Sequence, residues 1–502
     1  MRTLAYIMIH ERSSGILLHI TSLPGKYGIG TMGNEAFDFV EFLVESGQKR
    51  WQILPLGHTS YGDSPYQCFS AFAGNPLLID LDKLVEQGIL SESDLPNESF
   101  DPESVDYGAV YNYKYPLLKV AYNNFKNSNL HFNQVQFENF CRINHLWLDD
   151  YALFMAIKDH QGGKSWTEWD HGLKFRDHDA LNWARHHLSD DIQFYRFVQY
   201  LFYHQWLELK AYANNNDIKV IGDIPLYVAL DSADAWANPD LFDFDEQRNP
   251  ITVAGVPPDY FSDTGQLWGN PIYDWKRLEE TGFQWWADRI RSCFTLYDLL
   301  RIDHFRGLAA YWAVSYGEQT AINGQWIEAP GREMLEAVFE KLGELPIIAE
   351  DLGVITPDVT ALRDYFDMPG MKILQFAFDS GEVNSFIPYS YEKNSVVYTG
   401  THDNDTTLGH FLKSPEEDKQ RMRDYFNIDE SDPAWSYIRL AWSTVSNMAV
   451  APLQDVLRLD SNARMNFPGK ASGYWRWRYS QDMLTSQHAS DLMKLTKLYG
   501  RW

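Results

Sequence analysis

The chain has 502 residues with 69 acidic and 43 basic side chains, a formal net charge of −26 at pH 7. That balance argues against nucleic acid as a partner, because phosphates require lysine and arginine clusters, and against anionic membrane surfaces. Hydrophobic residues at 45% and charged residues at 22% fit a globular chain with a large core, and no apolar run reaches the roughly 18 residues that span a bilayer.

Taken in chain order, the short apolar stretch Leu4 to Ile9 is followed at once by Glu11 and Arg12 and has no small-residue cleavage site, so it does not read as a signal peptide. Cys68, Cys141 and Cys293 are few, odd in number and widely spaced, which points to a reducing compartment and a cytoplasmic location. Gly15 to Ile20 is the first predicted strand; a helix capped near Asn34 runs through Val44 and ends at Gly47. Lys49 to Leu56 is the second strand and closes a βαβ unit. The third, fourth and fifth strands end at Asp223, Asp303 and Glu350. The sixth is Met371 to Phe376, the seventh ends near Tyr398 and the eighth is Met448 to Leu453. Eight such strands separated by helical stretches predict an α/β fold, a (β/α)8 TIM barrel, with large inserted subdomains at the C-terminal face of the strands.

The spacing is uneven. Residues 1–502 read as a single catalytic barrel with an inserted subdomain over about 58–200, between strands 2 and 3. An inserted loop region covers about 224–298, between strands 3 and 4, and its Pro/Gly/aromatic-rich part reads as a lid or binding loop without regular structure. Aromatics make up 15% of the chain. Trp166, Trp169, Trp236, Trp268, Trp312 and Trp326 lie in Gly-, Asp-, Asn- or Pro-rich stretches, where flat rings are candidate faces for sugars.

Four apolar runs lead straight into acids: Lys219 to Asp223, Leu299 to Asp303, Pro346 to Asp351 and Ser395 to Asp403. A helix N-cap explains one aspartate after a strand, but not four sites that also carry His304, Arg306, His402 and Asn404. Carboxylates from several strand ends meet at a barrel mouth. Cleaving an acetal needs an acid on the leaving oxygen and a second carboxylate at the oxocarbenium-like carbon, about 5–5.5 Å away in a retaining enzyme. Strand alternation puts Arg301 and Asp303 on one side, so the guanidinium is expected to lower the Asp303 pKa while Glu350 is raised. No CxxC, HExxH, Walker A, GxGxxG after a strand or GxSxG motif is present, so neither a metal nor a cofactor is expected.

These residues lie in longer motifs: SGILLHITSLPGKYGIG at 14–30, SYGDSPYQ at 60–67, GDIPLYVALDSADAW at 222–236 and AGVPPDYFSDTGQLWGNPIYDW at 254–275. RIDHFRG at 301–307, AEDLG at 349–353, GTHDNDT at 400–406 and ARMNFPG at 463–469 follow. Across nearly its whole length the chain resembles the 4-α-glucanotransferases of glycoside hydrolase family 77, the amylomaltases or disproportionating enzymes. The resemblance implies Asp303 as nucleophile, Glu350 as general acid/base and Asp403 as the carboxylate that fixes and distorts the reacting ring. It further implies that Arg301, His402 and Asp223 surround that ring and that Tyr66 stacks on glucose. Tyr260, Phe261, Gln266 and Trp268 would form a loop over the acceptor side, and Asn466 would be a further contact at the mouth. The implied donors are maltooligosaccharides and longer α-1,4-glucans, the acceptors glucose or maltooligosaccharides. The alternative is a hydrolase with the same carboxylates and water as acceptor.

Overall fold

The computed structural model describes residues 4–60, 62–127, 131–258, 262–379, 384–470 and 472–502, with 131–133 described for their backbone alone. Among the described residues there are twelve strands: β1 Ser13–Leu17, β2 Arg50–Gln52, β3 Lys219–Ile224, β4 Thr252–Val256, β5 Gln266–Pro271 and β6 Leu299–Ile302. β7 Ala310–Ser315, β8 Gly324–Glu328, β9 Ile347–Ala349, β10 Gly370–Ile373, β11 Ser395–Tyr398 and β12 Met448–Pro452 complete the set. Eight of them, in the order β1-β2-β3-β6-β9-β10-β11-β12, form a closed parallel barrel. It closes where β12 pairs with β1, from Ser13 opposite Met448 to Leu17 opposite Pro452. All eight predicted barrel strands are found. Three stop early: β1 ends at Leu17 before a 3-10 turn over Ile20–Ser22, β2 ends at Gln52, and β10 gives way to a 3-10 turn over Leu374–Phe376.

Alternation sorts the strand residues into two cores. Leu17, Ile221, Leu299, Ile348, Met371, Ile373, Val396, Tyr398, Met448 and Val450 pack together inside the barrel. Residues one step along, such as Ile16, Val220, Leu300, Ile347, Val397 and Ala449, join the outer core shared with the helices. Both sides are apolar, which is why the strands read as continuous hydrophobic runs. Gly222 on β3 faces the outer layer, where a Cβ would lie 2.0 Å from the Tyr297 ring, so only glycine permits that approach.

The stretch between β2 and β3 is mainly helical, with long helices at Tyr107–Asn127, His131–His160 and Ser189–Asn215. Their contact is aromatic, with Phe125 and Phe197 at 4.8 Å between ring centroids. His58, just past β2, ties two of these helices to the barrel. Its Nδ1 lies 2.7 Å from the Tyr151 hydroxyl and its Nε2 lies 3.0 Å from that of Tyr115.

The segment between β3 and β6 departs from the expectation of an irregular loop. β4 and β5 pair antiparallel, and β4 also pairs with β7, from Thr252 opposite Ser315 to Gly255 opposite Trp312. With β8 they form a four-stranded sheet beside the barrel, in the order β5-β4-β7-β8. The partner of β4 comes from beyond barrel strand β6, so local periodicity carries no sign of this pairing. Several tryptophans are also corrected. Trp166 and Trp236 are 0% exposed and Trp169 is 4% exposed, so they are core and not sugar-facing surfaces. Trp312 and Trp326 pack on each other across β7 and β8 at 5.3 Å, and the Arg306 guanidinium lies 3.9 Å from the Trp326 ring centroid.

Candidate active site

Two-residue steps along the barrel interior lead directly to the acids. Ile221 is followed by Asp223, Leu299 by Arg301 and then Asp303, and Ile348 by Glu350. The apolar members fill the barrel, and the next inward position emerges at its C-terminal mouth. Asp223 lies opposite Arg301 in the β3–β6 register, and Ile302 lies opposite Ala349 in β6–β9. Asp303 and Glu350 therefore leave adjacent strands at one level.

Arg301 joins the first two acids. Its Nη1 donates to Asp223 Oδ2 at 2.5 Å, and its Nη2 lies 2.9 Å from Asp303 Oδ1. Tyr66, carried in by the loop after β2, donates from its hydroxyl to the same Asp223 oxygen at 2.8 Å and lies 2.9 Å from His402 Nε2. The Tyr66 and His402 rings are nearly parallel, 5.3 Å apart. His402 Nε2 in turn is 3.5 Å from Asp403 Oδ1. Asn466 Nδ2 donates to that oxygen at 2.7 Å. The turn holding Asp403 after β11 is fixed by Asn404, whose Oδ1 accepts from the Thr401 N–H and hydroxyl at 2.9 and 2.8 Å. The Glu350 carboxyl accepts from the His304 N–H at 2.7 Å and from the Leu352 N–H at 3.2 Å. Gln266 and Trp268 lie together on β5, the indole N–H donating to Gln266 Oε1 at 3.3 Å, and Trp268 meets the His304 ring edge-on at 4.8 Å. Tyr260 and Phe261 lie outside the described residues.

The acids differ in their surroundings. Removal from water is the largest influence on Asp303 and raises its carboxyl to about 6, against the pull of Arg301; Asp223 and Asp403 add to the rise and His402 opposes it. The expectation that Arg301 would set this pKa low is therefore corrected: burial outweighs the guanidinium. The carboxyl is still 28% exposed, so water at the mouth moderates the rise. Glu350 is raised well above the ordinary glutamate range by burial, opposed by Arg301 and the His304 N–H and reinforced by Asp303 and Asp351. Asp223 is also raised by burial, with Arg301 and Tyr66 opposing. Burial keeps the Tyr66 phenol protonated as a donor and holds His402 below the usual histidine range. Among the described residues no group of three or more His, Cys, Asp or Glu side chains could hold a metal ion.

A family model described as 4-alpha-glucanotransferase matches residues 18–485. The chain belongs to the 4-alpha-glucanotransferase family. It is 50% identical over 500 residues to a 4-alpha-glucanotransferase of Synechocystis sp., covering 98% of this chain and 99% of that one. It is 48% identical over 489 residues to that of Clostridium butyricum, covering 96% and 100%. The solved amylomaltase of Streptococcus agalactiae, in complex with acarbose, superimposes with a TM-score of 0.95 at 44% identity, covering 98% and 100% of the two chains.

Within this family member the structure adds residues at the mouth to which the sequence analysis gave no role. Arg464, inside the ARMN motif, donates to the Asp403 carbonyl oxygen and to that of Asn466, both at 2.6 Å. Trp475 packs against Tyr66 at 5.7 Å and His402 at 5.9 Å, with a left-handed backbone at φ 67°. The aromatic and cationic cluster Tyr474 to Arg478 marks the loop, but nothing in it singles out the one indole that reaches the mouth.

Proposed function

We propose that the protein transfers a segment of an α-1,4-glucan to the 4-hydroxyl of glucose or of another α-1,4-glucan through a covalent glycosyl-enzyme. Glu350 protonates the glycosidic oxygen while an Asp303 oxygen bonds to the anomeric carbon, so the leaving sugar departs and a glycosyl ester forms. The acceptor hydroxyl then attacks the same carbon, Glu350 takes its proton, and the ester bond to Asp303 breaks. The observation that carries this reading is the placement of Asp303 and Glu350 at one level on neighbouring strands. Strand spacing of about 4.8 Å is close to the roughly 5–5.5 Å separation of retaining carboxyl pairs. The highly raised Glu350 suits a proton donor, and Arg301 against Asp303 favours the anion needed for attack.

In this reading Asp403, held by Asn466, fixes hydroxyls of the reacting ring together with Arg301, His402 and Asp223, and Tyr66 stacks on glucose. Gln266, Trp268, Tyr260 and Phe261 serve the acceptor side. Maltooligosaccharides and longer α-1,4-glucans act as donors, and glucose or maltooligosaccharides as acceptors. The names of the relatives and the acarbose complex of the Streptococcus agalactiae enzyme support this substrate class. The same reading takes residues 1–502 as one catalytic barrel, with 58–200 an inserted subdomain and 224–298 an inserted region beside the mouth. A cytoplasmic setting is supported by three free cysteines; no described helix is long and apolar enough to cross a membrane.

Pure maltotriose tests the proposal. The expected outcome is glucose plus a ladder of longer glucans with almost no rise in total reducing ends, because each bond broken is remade. A rise in reducing ends that matches the loss of maltotriose would establish hydrolysis instead.

A further inference from the structure

His304 holds an unusual place in the mouth. It is not glycine, yet its backbone is left-handed at φ 51° and ψ 47°, a conformation that penalises most side chains and is best tolerated by Gly, with Asn, Asp and His enriched among the others. That conformation turns the chain sharply after Asp303 into a 3-10 helix over Phe305–Leu308, whose Gly307 N–H donates to the His304 carbonyl oxygen at 2.9 Å. It also aims the His304 N–H at Glu350 Oε2, 2.7 Å away. The second Glu350 oxygen receives the Leu352 N–H at 3.2 Å. Both carboxyl oxygens are thus located by main-chain donors, and the shorter bond crosses from the nucleophile's strand to the acid's strand. The imidazole is not the donor. Burial keeps it neutral, its pKa lowered to about 4, its Nε2 finds no partner among the described residues, and its ring edge meets Trp268 on β5.

We infer that His304 is a positioning residue whose left-handed main chain, and not its imidazole, orients Glu350 for proton transfer, while its ring anchors the acceptor-side strand through Trp268. This rests on the reading of Glu350 as general acid/base. A backbone forced out of the left-handed region withdraws the N–H from Glu350 Oε2 and leaves that oxygen unpositioned. An N–H bond to a carboxylate stabilises the anion, so its loss raises the Glu350 pKa and moves the alkaline limb of activity to higher pH. The other groups facing Glu350 are Arg301 on β6, Asp303 just past its end and Asp351 from its own segment, and all three keep their identity in a His304 variant.

The test compares His304→Val, His304→Ala, His304→Asn and His304→Gly in the full chain. β-Branched Val disfavours the left-handed region strongly, Ala moderately, and Asn and Gly least. The Val variant should lose about 10²–10³-fold in kcat on maltotriose, the scale of a misplaced general acid, with the alkaline limb displaced upward. Its loss on α-glucosyl fluoride should be much smaller, because fluoride departs without a proton. His304→Ala should move the limb in the same direction by less, which keeps the test decisive if the Val variant does not fold. His304→Asn and His304→Gly should keep the limb where it is, while His304→Gly raises the KM for the acceptor. Val and Ala variants with an unmoved limb would overturn the inference, as would Asn and Gly variants shifted as far as Val. Glu350→Gln, measured alongside, separates the two readings: equal losses on maltotriose and on the fluoride would remove Glu350 as the acid whatever the His304 variants do.

Discussion

At the scale of single residues, the site is a contest between burial and charge at Asp303. Its environment raises it to about 6 despite Arg301, and in the proposed reaction its attack on the anomeric carbon requires the anion. Activity should therefore fall as the pH drops through a limb above the ordinary aspartate range. The groups that set this limb are Arg301, Asp223, Asp403 and His402. Its alkaline counterpart belongs, in the same proposal, to Glu350, which must carry the proton. Asp303→Asn should lower turnover by about 10³-fold or more with the acid limb gone, and a 5-fluoro-glucosyl donor should label the 301–306 peptide of the unaltered enzyme. Mass spectrometry of the trapped protein decides it; a label on another peptide would move the nucleophile elsewhere.

At the scale of elements, the sheet β5-β4-β7-β8 determines what stands over the mouth. β5 carries Gln266 and Trp268, which the proposed function assigns to the acceptor side, and braces Trp268 against His304. β4 locks this strand to β7, which emerges from the chain beyond Asp303. An indole held at a bound acceptor covers apolar area and excludes water near the glycosyl-enzyme, so a pre-oriented sugar competes well. Trp268→Ala should therefore raise the hydrolysis-to-transfer ratio and weaken acceptor dependence while the first half-reaction with glucosyl fluoride survives. An unchanged ratio in paired glucose-release and reducing-end assays would make β5 a structural cover only.

At the scale of the whole molecule, aromatic packing joins the two insertions to each other. Trp236 is fully buried, its indole N–H donates to the Leu173 carbonyl oxygen at 2.9 Å, and it packs against Phe154 and Trp169 with the Arg176 guanidinium 4.2 Å from its ring centroid. Trp236→Ala opens a large cavity between elements far apart in the chain, and should cost about 3–5 kcal/mol of stability. Thermal unfolding should show a lowered midpoint, with the transfer-to-hydrolysis ratio unchanged in the cold. A changed ratio at full stability would return this indole to the sugar-facing set.

What the amino-acid sequence determined by itself was local: eight apolar runs long enough for buried strands, and an acid at the end of the right ones. Ile221-Gly-Asp223, Leu299-Leu-Arg-Ile-Asp303 and Ile348-Ala-Glu350 carry their own alternation, so the inward direction of each acid follows from the strand period of two. The long motifs added the family. Only the tertiary structure decided which segments meet. The β4–β7 pairing joins residues about sixty positions apart around a barrel strand, and no local pattern encodes a partner at that distance. Trp166 and Trp236 sit in loop-like sequence yet are buried, because burial depends on what packs over a residue and not on its neighbours in the chain. The sign of the Asp303 shift was decided in the same way. Arg301 two residues away is visible in the sequence, but the desolvation that outweighs it comes from the assembled mouth.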